Sequence, residues 1–219
     1  MTTLFEEKET CFVCGKTHKY TEIGSTNQFG SPDLDTRPPE MARSTIDCWI
    51  RCCPYCGYCA PALSKDSPQA KSIVKSEEYR QQLDNKAYPK LANHFLCWAM
   101  IQEATGDYSG WAAVHAAWAC DDHNAQEASR LCRLKAIQLF QEANGASNMS
   151  QTGAQEALMA DLLRRSGQFD QVESVCQESL KQNPEKIIQQ ILTFQMTLAR
   201  QQDKECHRID EVEPGSAPD

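Results

Sequence analysis

Residues 52–59 read CCPYCGYC, four thiols in eight positions, with Cys48 just upstream and a second cluster, CFVCG, at 11–15. Which of these thiols belong together decides the fold. CFVCG and CPYCG (53–57) share the form C-x-x-C-G. Two residues between cysteines let one tight turn aim both sulfurs at a single point. The glycine that follows lets backbone N–H groups swing toward the thiolates. Two such knuckles supply four thiolates in a tetrahedron, the arrangement of a closed zinc site. Cys56 and Cys59 also read C-x-x-C, in the manner of a dithiol redox motif. That motif opens a helix in a βαβ setting, whereas here Pro61 follows almost at once and no βαβ pattern surrounds it. Only the 53/56 register repeats the glycine found after Cys14. The expected ligands are Cys11, Cys14, Cys53 and Cys56.

The expected ion is Zn2+. Iron is the alternative, because C-x-x-C-G followed by C-P-x-C-G is also the rubredoxin pattern. The first knuckle lacks the Tyr- and Gly-rich surroundings of that pattern, which favours zinc. Cys48 and Cys52 are expected to pack inside the ribbon and Cys59 against the helices, as small apolar side chains. His18 is a weaker substitute ligand.

Between the knuckles, residues 24–46 are rich in Gly, Pro, Ser and Thr and are expected to be mostly turn and loop. Asp33, Asp35, Arg37, Glu40 and Arg43 crowd charge around Pro38 and Pro39. Two readings stand: a recognition loop held by the ribbon, or local pairs that cap the ribbon. IDCWIRC (46–52) alternates in the manner of a short strand.

From about residue 66 the apolar period becomes helical. Ser67 and Pro68 open a helix through SPQAKSIVKSEEYRQQL. Further helices are expected after Pro89, over 108–120, 124–143, 152–166, 169–182 and 184–205. Trp98, Trp111 and Trp118 read as core, and Arg164-Arg165 as a solvated helix end or a contact for a partner's carboxylate. GQFDQVESVCQESLKQNP (167–184) fits the second half of a tetratricopeptide repeat, with Gly167 as the turn, Phe169 as anchor and Val172, Val175 and Cys176 inward. GDYSGWAAVHAAWACDD (106–122) echoes it through Gly106 and Tyr108. The fold class is mainly α: an array of antiparallel, tetratricopeptide-like helical hairpins with a small N-terminal β-containing zinc ribbon. The expected organisation is a metal-binding module over 1–63, a helical domain over 64–208 and an acidic tail over 209–219.

The net charge of −8 and a first 64 residues with six basic and eight acidic side chains argue against nucleic acid. MTTLFEEKET has neither a basic nor an apolar leader region, and the longest apolar run, FLCWAMI at 95–101, is too short to cross a bilayer. No membrane association and a cytoplasmic setting are expected. Twelve cysteines in a reducing compartment point to metal ligation rather than to disulfides.

DLDTRPPEMARST (33–45), CWIRCCPYCGY (48–58), LANHFLCWAMIQEATGDY (91–108), HAAWACDD (115–122) and LLRRSGQFD (162–170) together resemble an uncharacterised bacterial family. Its members join a zinc-ribbon-like segment to tetratricopeptide-like helices. The resemblance spans nearly the whole chain and implies architecture and a bacterial cytosolic setting, but no reaction. No Gly-rich phosphate loop, G-x-S-x-G elbow or H-E-x-x-H pair is present. The expected function is a non-enzymatic scaffold that binds a protein or peptide. A redox protein and a nucleic-acid-binding ribbon are the alternatives.

Overall fold

A computed structural model describes residues 1–65, 67, 69–106, 110–143 and 151–212. The chain is mainly helical, with a small N-terminal β segment. It divides into two compact units, one built from Met1–Gln28 and Glu40–Ala143, the other from Phe29–Pro39 and Asn144–Asp219.

The first unit opens with an antiparallel hairpin of β1 (Thr3–Thr10) and β2 (Thr17–Ser25), in which Thr10 faces Thr17 next to the first knuckle. A second, much shorter hairpin pairs β3 (Arg51–Cys52) with β4 (Cys59–Ala60) and brackets the second knuckle. Glu9 ties the two together: it accepts from Arg51 at 2.6 Å and from the N–H and hydroxyl of Ser64, each at 2.8 Å. Arg51 also pairs with Glu22 of β2.

The strand expected over 46–52 is confined to Arg51–Cys52. The residues before it form a 3-10 turn, Arg43–Cys48. Side-chain bonds bend this segment. The Thr45 hydroxyl donates to the Ala42 carbonyl at 2.7 Å, and Trp49 Nε1 donates to that hydroxyl at 2.9 Å. The turn lays Trp49 edge-on against His115 and Trp118, with ring centroids 5.2 and 6.2 Å away. Aromatic packing outweighs the alternation.

The helix expected from Ser67 is two short ones, α1 (Ala70–Ile73) and α2 (Glu77–Leu83). Ser76 breaks them apart, since its hydroxyl caps the Tyr79 N–H and Glu77 and Glu78 occupy the favoured first turn. Pro68 lies outside the described residues. Next come α3 (Lys90–Ala104), α4 (Trp111–Asp122) and α5 (Gln126–Glu142), with α4 packed against both of the others. Ala112, Ala113, Ala116, Ala117 and Ala119 are all buried, so α4 has small residues on nearly every side. A helix apolar all round is an interior helix, and alanine lets both neighbours approach closely. In α5, Ala128, Cys132, Ala136 and Leu139 are buried along one stripe. Asn144 and Gly145, which follow it, lie outside the described residues, as does Tyr108. Trp118 is core, whereas Trp98 and Trp111 are only half-buried.

In the second unit α6 (Ala154–Arg165), α7 (Phe169–Leu180) and α8 (Lys186–Arg200) pack on one another. The turn between α6 and α7 falls at Gly167, and Val172 and Cys176 are buried, with Phe169 and Val175 half-buried. Arg164 and Arg165 are neither solvated nor open to a partner. Arg164 is fully buried: it donates to Asp161 at 2.8 Å, to Gln195 at 2.7 Å, and to the Asp203 and Glu205 carbonyls. Arg165 pairs with Asp35 at 2.9 Å. Helical spacing puts Asp161 within reach of Arg164 at i−3, but Gln195, Asp203, Glu205 and Asp35 lie far away in the chain. Among the described residues no helix is long and apolar enough to cross a membrane.

Candidate metal centre

Each cysteine pair sits in the turn of a hairpin, and the two turns repeat each other bond for bond. In the first, the Cys11 N–H donates to the Lys16 carbonyl at 3.0 Å and the Gly15 N–H to the Cys11 carbonyl at 2.8 Å. In the second, the Cys53 N–H donates to the Tyr58 carbonyl and the Gly57 N–H to the Cys53 carbonyl, both at 2.8 Å. Gly15 and Gly57 take φ values of +71° and +76°, a left-handed conformation that costs any residue with a Cβ. This backbone aims N–H groups at sulfur: Lys16 N–H at Cys14, Tyr58 N–H at Cys56, and those of Val13 and Cys14 at Cys11. The equivalence of the Lys16 and Tyr58 donors is the geometry that the shared C-x-x-C-G spacing predicts.

The turns meet tip to tip. Cys11 Sγ lies 3.7 Å from Cys56 Sγ, and Cys14 Sγ lies 3.6 Å from Cys53 Sγ. All four sulfurs fall within 4.8 Å of one another. Four bonds of about 2.3 Å around a tetrahedral zinc place sulfurs roughly 3.8 Å apart. Disulfides are about 2.05 Å long, so neither pair is one. The four cysteines therefore form a group that could hold a metal ion. Cys11 and Cys53 are buried, whereas Cys14 and Cys56 keep some exposure.

Without a cation, burial pushes the Cys11 and Cys56 thiols above their ordinary range. Burial works the same way on Cys14, but the Lys16 N–H and the Cys53 thiol outweigh it and hold Cys14 below that range. A divalent ion would displace the protons of the buried thiols, so uptake is linked to proton release.

The centre joins a continuous core. Cys11 and Cys53 cluster with Tyr58, Leu63, Val74, Tyr79 and Ile101, among others. The Tyr79 hydroxyl donates to the Gly57 carbonyl at 2.9 Å and accepts from the Cys59 N–H at 3.1 Å. Arg80 donates to the Cys56 carbonyl at 2.8 Å. The second knuckle is thus clamped to α2.

The remaining site residues are placed as follows. Asp33, Asp35 and Arg37 are buried in the second unit, where the Asp35 carboxylate also accepts from the Arg37 N–H at 3.2 Å. Glu40 and Arg43 belong to the first unit, and exposed Glu40 accepts from Ser44. His18 stacks edge-on with Tyr20 and Tyr55, their centroids 5.2 and 6.1 Å away. Cys48 is half-buried. Cys52 and Cys59 face each other across β3 and β4, and their sulfurs converge with a ring nitrogen of His94. Sequence reading missed His94 because no local spacing connects a histidine in the middle of α3 to a hairpin so far upstream.

Comparison with protein-family models, with curated proteins and with solved structures finds no match to this chain.

Proposed function

We propose that this chain is a non-enzymatic interaction module whose ribbon is locked by a structural zinc ion at Cys11, Cys14, Cys53 and Cys56. The observation that carries the reading is the tip-to-tip convergence of two hydrogen-bonded knuckles, which brings all four sulfurs within 4.8 Å of one another. Four protein ligands leave no open position, which is the form of a structural site rather than a catalytic one. Two hairpins of this size bury too little to hold themselves together, so the metal supplies much of their folding free energy.

A protein or peptide partner fits the surface better than nucleic acid. Leu4, Phe5 and Tyr55 stand about half exposed on the ribbon, at 55%, 50% and 52%. Meanwhile Arg51 is committed to Glu9 and Glu22, and Lys19 to Glu6. A cytoplasmic setting suits a thiol-rich chain, and the resemblance to an uncharacterised bacterial ribbon-plus-helix family is part of the same proposal.

The test is elemental analysis joined to chelation. One tightly held zinc at the four-thiol centre, absent from Cys14→Ser, supports the reading, as does loss of β signal when a strong chelator removes it. A visible ferric absorption band with iron in place of zinc overturns it in favour of an electron carrier. For the partner, Phe5→Glu is expected to keep its metal and lose capture of a specific protein from the native host. Retention of that protein sinks the surface assignment.

A further inference from the structure

The structure assigns a second metal site to this chain, formed by Cys52, Cys59 and His94 and independent of the four-thiol centre. In an extended strand successive side chains point to opposite faces. Cys53 turns toward the first knuckle, so its neighbour Cys52 turns the other way, onto the side where β4 packs on α3. Cys59 stands directly across from Cys52 in the antiparallel register. From α3, His94 brings its ring to the two sulfurs, and one sulfur from each cysteine and one imidazole nitrogen lie within 4.8 Å of one another. A tetrahedral zinc sets sulfurs roughly 3.8 Å apart and a sulfur and a nitrogen roughly 3.5 Å apart.

Simple burial accounts for the two thiols but not for the imidazole. A thiol packs as a small apolar group, whereas a histidine converging on two sulfurs in the same small volume is a ligand set. Charge agrees. Two thiolates and a neutral imidazole around a divalent cation sum to zero, and a neutral complex tolerates the fully buried setting of Cys59. In the bound form Cys52 and Cys59 are thiolates and His94 coordinates through its unprotonated nitrogen. Cys97 lies one helical turn beyond His94, fully buried, hydrogen-bonded to the Cys59 thiol and 3.9 Å from the Tyr79 carbonyl. It flanks the set without belonging to it. Three protein ligands leave one tetrahedral position for water or a small anion, and Cys52 and His94 are not fully buried, so solvent reaches that side. The expected occupant is a borderline-soft divalent ion of the zinc class.

The experiment is metal analysis of the full-length chain, purified under reducing conditions with zinc and dialysed. The expected result is about two equivalents per chain. His94→Ala and Cys52→Ser should each drop this to about one, and Cys14→Ser should also drop it to about one by emptying the other centre. Cobalt titration of the wild-type chain needs no variant, and two successive thiolate-to-cobalt absorption steps are expected. A single step, a single zinc that Cys14→Ser removes, or an unchanged zinc count in His94→Ala would overturn the site. So would a Cys52–Cys59 disulfide found by peptide mapping of the reduced-purified protein. Because His94→Ala leaves all four thiols of the first centre in place, its zinc count tests the second site whether or not the first assignment holds.

Discussion

The two knuckles share a backbone and differ in everything around it. At Gly15 an added Cβ would meet nothing within 4 Å, whereas at Gly57 it would come 2.6 Å from Leu83 Cδ2 and 2.9 Å from Arg80 Nη1. The first knuckle is the tip of a long hairpin whose strand residues are mostly exposed. The second is held by Tyr79 and Arg80 of α2 and carries further thiols on its opposite side. The comparison separates what the metal requires from what the fold requires. Spacing, glycine and N–H donors are common to both and serve the ion. The side-chain clamp to α2 belongs to one, and serves the attachment of that hairpin to the helices.

The largest effect should come from the ligands themselves. Cys14→Ser and Cys53→Ser should both cost the metal, a loss on the order of 10 kcal/mol of apparent binding free energy. Amide exchange should then tell them apart. Cys14→Ser is expected to loosen β1 and β2, while Cys53→Ser, at a buried position, should also loosen β4 and α2. Equal exchange patterns would break the comparison. Arg51→Met removes the link between the hairpins and leaves Glu9 charged and partly buried. A loss of about 3 kcal/mol in denaturant midpoint analysis is expected.

On the helical side, burial among Trp49, Phe95, Trp111 and Trp118 pushes His115 down to about 4. The unfolded chain takes up that proton first as pH falls. Stability is therefore unaffected above about 6.5 and declines between there and about 4, by about 3 kcal/mol in all. His115→Leu should remove this component of the acid dependence, read as the difference between the two stability-pH curves. Gly15→Ala should cost about 1 kcal/mol, the strain of a left-handed alanine, and Gly57→Ala about 2 to 3, because Leu83 and Arg80 must also move. Tyr79→Phe, which removes the two hydrogen bonds of its hydroxyl to the second knuckle, should cost about 1 kcal/mol in thermal or chemical unfolding, as little as Gly15→Ala.

What the sequence disclosed follows the range of the forces involved. The four-thiol group was legible because a knuckle is a local object: cysteine spacing and one glycine specify it within five residues. Most helices were legible because their apolar periodicity is local as well. The break between α1 and α2 could have been read from Ser76 followed by Glu77 and Glu78, a helix-start signal outranked by an unbroken polar-apolar rhythm. The turn at 43–48 was misread because its alternation suits a strand, and only Trp118 and His115, both distant in sequence, reward bending it. Arg164 could be read only in its i−3 partner Asp161, not in its burial. Two adjacent arginines at a helix end look solvated until Asp161, Gln195 and the carbonyls beyond α8 close around the first of them. His94 belongs to the same class, a residue whose neighbours come from another element altogether.

The segment Phe29–Pro39 leaves the first unit and returns to it, yet belongs with residues after 143. Asp33 bridges to Arg208, the Leu34 N–H donates to the His207 carbonyl, and the Ile209 N–H donates to the Pro32 carbonyl. On a translating ribosome this stretch emerges early and then waits for partners some 170 residues downstream, roughly ten to thirty seconds at ordinary elongation rates. During that interval it must stay in water without seeking a wrong partner. Asp33, Asp35 and Arg37 equip it to do so. The same charges that end up buried keep the waiting strand hydrated, and they lose water only when a matching set, Arg165 among them, has been synthesised.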